Sequence, residues 1–188
     1  SDVCSSDLQY VGSWPPNPDE PPLRGAMGIY VSEVAWFVAR PLTFLIWGGI
    51  FEDFPKLKVV ITEGTSVWVP SYLELLDQRA SDHPGNAKLG DYKSHLKLKP
   101  SEYFARNIRV GASIPPAEAK LRHKIGVGSL MWGSDFPHPE GTWPETASRL
   151  AASCKGVPED EIAAILGGTT DTLYRFAAAQ LATPAARP

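Results

Sequence analysis

Leu130-Met-Trp-Gly-Ser-Asp135-Phe-Pro-His138-Pro-Glu-Gly-Thr-Trp-Pro144 is the stretch on which the reading of this chain turns. Its apolar opening reads as a short buried strand, and Gly133-Ser134 as the exit from that strand. A carboxylate, Asp135, follows at once, and prolines at 137 and 139 fix the backbone around His138. The same grammar occurs upstream. Lys56-Leu-Lys-Val-Val-Ile-Thr-Glu63 is short and β-branched, is bounded by Pro55 and Gly64, and also ends on a carboxylate. Ile108 to Ala112 is a further strand candidate, leaving at Ser113.

Helical spacing fills the intervals. A helix is expected from Ala26 to about Ala39, ending before Pro41, with a second from Leu42 to Phe51. Trp68 to Gln78, Pro100 to Arg106 and Pro116 to Lys124 follow, the last stopping at Gly126. Glu145 to Ala152 is another. A helix opening at Pro158 has acidic residues in its first turn and is expected to stop at Gly167-Gly168, before a final helix from Thr170 to Leu181. Three strand–helix alternations mean βα units and a parallel sheet. Three strands cannot close a barrel, which needs about 250 residues. Periodicity therefore predicts part of an α/β protein and no more.

In βα barrels the reacting groups sit at the carboxyl ends of the strands. Glu63, Ser113 and Asp135 fall there. A rigid loop presenting an oxygen ligand is what a metal site requires. The alternative for Asp135 is a helix N-cap or a solvated loop residue.

Composition narrows the classes. The chain has 188 residues, 43% hydrophobic and 21% charged, which suits a globular protein. A net charge of −3 gives no reason to expect nucleic acid or an anionic membrane as partner. The longest apolar stretch, Pro41 to Phe51, is too short for a bilayer, which needs roughly 20 residues. Two cysteines, Cys4 and Cys154, without a CxxC make a disulfide framework or cysteine zinc site unexpected, and a reducing cytoplasm is the default location.

Ser1-Asp-Val-Cys-Ser-Ser-Asp-Leu8 matches one reading frame of a common sequencing adapter. Residues 1–8 are therefore expected to be foreign, residues 9–181 to be a barrel fragment, and residues 182–188 to be a disordered tail.

Gly48 to Gly64 and Leu130 to Pro144, together with their surroundings from Ala26 to Phe176, resemble the carboxyl-terminal half of the amidohydrolase-related family. The resemblance implies a (β/α)₈ TIM barrel truncated at its N-terminus, represented by its last three βα units and the C-terminal helices. It implies a metal-dependent hydrolase or decarboxylase acting on a small organic acid, aromatic ones included, or on an amide or ester. Asp135 would then ligate one divalent ion, by default zinc, with manganese as the other choice. Asp135 would also help activate bound water or serve as base. Glu63 and His138 are expected to assist, and Trp68 and Trp143 to wall the substrate pocket. The small-molecule substrate is the expected partner, and a homodimer through the apolar helices of 26–51 stays open beside their use as the barrel's outer ring.

The sequence also departs from the family's pattern. The His-x-His pair and the fifth-strand histidine are not in this chain, so the 188 residues alone are expected to be inactive. Glu63 stands where many members carry a catalytic histidine. It reads as a general base or substrate contact, or as a carboxylate paired with a basic neighbour such as Arg109. A catalytically degenerate barrel with a binding or assembly role is the competing reading. Thr169 stands where the family often has asparagine, which suggests a helix-cap exchange. His138 either contacts substrate, orients Asp135, or bonds a backbone carbonyl. His83 and His95 read as surface residues, His123 as a cation favoured at a helix carboxyl end, and Cys154 as inert.

Overall fold

The computed structural model describes residues 26–81, 90–139 and 141–176. The adapter-like stretch, the proline-rich segment of 12–25, His83 and the tail lie outside the described residues. The chain divides into two compact units, Ser1–Arg109 and Val110–Pro188.

The first unit holds α1 (Ala26–Trp47), α2 (Ile50–Asp53), β1 (Val59–Thr62), α3 (Val69–Ser81) and α4 (Pro100–Asn107). The two helices expected on either side of Pro41 are one: α1 runs through the proline. An interior proline costs about 3 kcal/mol. Against that, Val38, Leu42 and Ile46 form a buried stripe, and each buried aliphatic contributes about 1.5–3 kcal/mol. The stripe wins. Beyond the end of α1, Gly49 turns left-handed (φ 73°), and His95 Nε2 lies 2.8 Å from the Trp47 carbonyl. The expected surface histidine is exposed, yet it closes this turn.

In β1, Val59, Val60 and Ile61 are all buried, so both faces of the strand are covered, as parallel strands require. The approach to β1 is fixed by Asn107, which is 0% exposed. Its Nδ2 donates to the Pro55 carbonyl at 3.1 Å and the Leu57 carbonyl at 2.6 Å, while its Oδ1 accepts from Arg106 Nε at 2.8 Å. Arg106 also donates to the Phe51 carbonyl at 2.6 Å and lies over the Tyr103 ring. Lys58 donates to the Arg106 carbonyl, and Arg109 to those of Ala105 and Ile108. These cations serve carbonyls around the end of α4, where the helix dipole is negative. Burial, with Arg109 and Arg106 nearby, holds the Lys58 pKa below the ordinary lysine value.

Tyr103 donates to Glu52 and accepts from the backbone of Lys97 and Leu98. The bond from Tyr103 is the main reason that the Glu52 pKa is lowered. At the start of α4, Glu102 accepts from the Lys99 amide at 2.7 Å, and Asp77 of α3 accepts from both the amide and the hydroxyl of Ser101.

Strand β2 (Ile108–Ala112) begins in the first unit and ends in the second. The second unit continues with α5 (Pro116–Ile125), β3 (Leu130–Trp132), α6 (Thr146–Ser153), α7 (Glu159–Ala163) and α8 (Thr169–Tyr174). The strand order is β1–β2–β3. Strands β2 and β3 are parallel, with Val110 opposite Leu130, Gly111 opposite Met131 and Ala112 opposite Trp132. Helix α5 ends at Gly126 (φ 102°), where a stop was expected.

The stop expected at Gly167-Gly168 does not occur. A π turn over Ala164–Gly168 carries α7 into α8, and the Thr169 amide reaches back to the Ala164 carbonyl. Ile165 and Thr169, one turn apart, are both buried, so packing holds the helix together across the glycines. A Cβ on Gly168 would stand 3.3 Å from the Ala163 carbonyl oxygen, so the glycine fits the turn instead of ending it. Thr169 is thus an interior residue of a continuous helix and not a cap. The part of the final helix expected beyond residue 176 lies outside the described residues.

Glu161 of α7 takes Arg122 Nε at 2.5 Å and His123 Nε2 at 2.6 Å, tying α7 to the end of α5. The hydrogen bond from Arg122, then that from His123, lowers the Glu161 pKa.

Two predictions follow from these ties. Asn107→Ala removes the buried amide that serves two backbone carbonyls and a guanidinium nitrogen, and is expected to lower unfolding free energy by about 2–4 kcal/mol in urea titration. Because Glu161 has a lowered folded pKa, its contribution is present above the ordinary glutamate value of about 4.3. It is lost as pH falls through the folded pKa. Glu161→Gln should therefore destabilise at pH 7, and by progressively less as the pH is lowered below the ordinary glutamate value, measured by thermal unfolding across a pH series.

Candidate functional site

Each strand leaves through a backbone conformation that side chains rarely adopt. Glu63 (φ 60°) and Thr65 (φ 50°) follow β1, Ile114 (φ 47°) follows β2, and Asp135 (φ 58°) follows β3. A left-handed non-glycine residue is held only where its surroundings over-determine it, and such residues concentrate at functional sites.

In the first unit, packing beside Glu63 forces the turn. Gly64 lies against Val38: a Cβ there would stand 2.6 Å from a Val38 methyl. Trp68 Nε1 donates to the Gly64 carbonyl at 2.9 Å and the Thr65 carbonyl at 3.1 Å, and its ring meets Tyr72 edge to face. Trp68 thus fastens the loop from which Glu63 projects. The Glu63 side chain is exposed. Its weighed ion pair with Arg109 is not formed among the described residues, because the Arg109 guanidinium is turned onto the Ala105 and Ile108 carbonyls.

In the second unit, the loop after β3 is held at both ends. The Gly133 amide continues the ladder to the Ala112 carbonyl at 3.1 Å. The Thr142 amide and hydroxyl both donate to the Ser134 carbonyl, at 2.9 and 3.3 Å, and Thr142 is buried. Gly141 fits under the loop so closely that a Cβ would meet the carbonyl oxygens of Asp135, His138 and Ser134 at 2.8–2.9 Å. Inside this frame the His138 amide donates to the Asp135 carbonyl at 2.8 Å, and His138 Nδ1 stands 3.2 Å from Asp135 Oδ2. This contact is compatible with the orienting role among the three weighed for His138. Phe136 and Trp143 flank the pair, 64% and 67% exposed, with ring centroids 6.0 Å apart.

The metal role can be tested on the donor chemistry. Asp135 is a half-exposed carboxylate on a fastened loop, and fits one ligand position. Among the described residues no group of three or more histidine, cysteine, aspartate or glutamate side chains could hold an ion. The fit is thus to one ligand of a site and not to a complete one. Sequence reasoning missed Gly141 and Thr142, which hold Asp135 in place. Only the Glu-Gly-Thr-Trp run hinted at a tight loop. Cys154 caps the end of α6 and lines a small apolar cavity with Trp132 and Ile165.

The amidohydrolase family model matches residues 35–176. Among solved structures, 5-carboxyvanillate decarboxylase from Sphingomonas paucimobilis is 27% identical, with a TM-score of 0.60 over 75% of this chain and 40% of its own. An amidohydrolase from Mycobacterium avium subsp. paratuberculosis K-10 is 25% identical, with a TM-score of 0.63 over 77% of this chain and 35% of its own. A 2,6-dihydroxybenzoate decarboxylase, 16% identical with a TM-score of 0.58, shares the fold over 84% of this chain and 49% of its own. The chain therefore spans less than half the length of these proteins. Comparison with curated protein sequences gives no match.

The closeness of Gly141 to three carbonyls generates a paired prediction. Gly141→Ala is expected to lower stability by about 1–3 kcal/mol, as overpacking does. Gly133→Ala, where a Cβ meets nothing within 4 Å, should stay within about 0.5 kcal/mol of the parent in the same urea titration.

Proposed function

This chain belongs to the amidohydrolase family, and from that membership we propose that the protein carrying it is a metal-dependent hydrolase or decarboxylase. Its substrate would be a small organic acid, aromatic ones included, or an amide or ester. The observation that carries this reading is the loop after β3. There Asp135 is held in a left-handed conformation, backed by Gly141 and Thr142, with His138 beside its carboxylate.

In this reading Asp135 supplies one ligand to a divalent ion, zinc or manganese. When bound, the ion would polarise a substrate oxygen or lower the pKa of water. His138 is the positioning residue, holding Asp135 Oδ2. Glu63, exposed at the end of β1, moves a proton as general acid or base. The Phe136–Trp143 pair and Trp68 offer apolar surface to a substrate. The fold of which this chain is part would be the (β/α)₈ barrel, with these three strands as its last.

One observation favours a second reading, a degenerate barrel used for binding or assembly. Glu63 is a carboxylate where the resemblance places an imidazole, and the two groups do different proton work.

Substitutions in the protein that carries this chain separate the two. Asp135→Asn should reduce bound metal, read by elemental analysis after dialysis, together with turnover. Glu63→Gln should keep the metal and lower kcat by about 10²–10⁴-fold. Glu63→Gly should relieve the left-handed strain and raise stability by about 1 kcal/mol while losing turnover. Full metal occupancy in Asp135→Asn contradicts the ligand assignment, unchanged turnover in Glu63→Gln contradicts the proton-transfer role of Glu63, and absence of metal and turnover in the unsubstituted protein supports the degenerate reading.

A further inference from the structure

Helix α1 carries an exposed stripe that is complementary to itself. Ile29, Glu33, Trp36, Arg40 and Phe44 are all exposed. At 3.6 residues per turn they fall within an arc of about 80°, on the side away from the buried Val38, Leu42 and Ile46. Trp36 is 67% exposed, Phe44 65% and Ile29 49%. Arg40 is drawn over the Phe44 ring, 5.6 Å from its centroid. Large apolar side chains gathered on one exposed face mark an interaction surface.

The order of the residues says what fits there. Turn a copy of the helix end for end and lay it alongside, with the two-fold axis beside Trp36. Ile29 then stands opposite Phe44, and Glu33 opposite Arg40. Trp36 stands close to its own counterpart. Every pairing is apolar with apolar or acidic with basic. A parallel copy would instead set Glu33 against Glu33 and Arg40 against Arg40, which is unfavourable. Within one helix, Glu33 and Arg40 are seven residues, about 10 Å, apart along the axis and cannot satisfy each other. Isologous contacts of this kind build two-fold dimers.

We propose that the Ile29–Phe44 face of α1 is a homodimer surface, in which the helices of two copies of this chain pair antiparallel through two Glu33–Arg40 ion pairs flanking Trp36. The surface uses none of the residues named in the catalytic reading, so the proposal stands whether or not that reading holds.

The test uses charge-reversed variants of the protein that carries this chain, sized by sedimentation across a concentration series. All substituted side chains are exposed, and circular dichroism checks that the fold is kept. Glu33→Arg alone and Arg40→Glu alone should each weaken self-association at least tenfold, since each places like charges opposite one another. Mixing the two single variants should restore association as a heterodimer, and the double variant should recover the parent's. Trp36→Ala should weaken association without depending on salt. Two results overturn the proposal. One is a parent that stays monomeric at all concentrations, which would leave the face to another segment or protein. The other is association that charge reversal does not weaken, or that mixing does not restore.

Discussion

The carboxamide of Asn107 does for the first unit what no apolar contact can do. It is fully buried, and it holds the chain at Pro55 and Leu57 just before β1 while engaging Arg106 just before β2. A hydrophobic residue of similar size would fill the space and fix nothing, because hydrophobic burial has no direction. A buried amide has donors and an acceptor at set angles, and leaving any of them unmet costs about 1–3 kcal/mol. The start of β1 is thereby set relative to the start of β2. With its start fixed, β1 delivers Glu63 at its carboxyl end.

What happens beyond the strand ends is a second constraint. Four of the five described non-glycine residues with positive φ come just after a strand. Each costs backbone energy, and the two that carry carboxylates are held by close packing or hydrogen bonds: Gly64 and Trp68 beside Glu63, Gly141 and Thr142 beside Asp135. The small residues let the backbone approach, and the hydrogen bonds keep it there. The outcome is that two carboxylates are presented toward solvent on rigid loops, which suits ligand binding better than stability.

The strands were legible in the sequence because β-branched runs bounded by glycine and proline have few alternatives. Asp135 was legible because a carboxylate directly after such a run has a positional meaning in α/β proteins. Two helix boundaries were not. Pro41 and Gly167-Gly168 are strong local stop signals, and both were overridden by stripes of buried residues spaced one turn apart, Val38–Leu42–Ile46 and Ile165–Thr169. Local propensity is worth about 1–3 kcal/mol, and a buried stripe exceeds it. Gly141 and Thr142 were not legible either. Their part in the site is to contact carbonyl oxygens, and no spacing rule encodes which carbonyl a threonine will meet. The role of Trp68 in fastening its loop through its indole N–H was hidden for the same reason.

The assignment of Asp135 as a metal ligand is tested most directly by a crystal of the protein that carries this chain, with data collected on both sides of the zinc and manganese absorption edges. The expected result is an anomalous peak about 2.0–2.2 Å from an Asp135 carboxylate oxygen, with imidazole nitrogens completing the shell. A metal bound elsewhere, with the Asp135 carboxylate engaged only by His138, would contradict it.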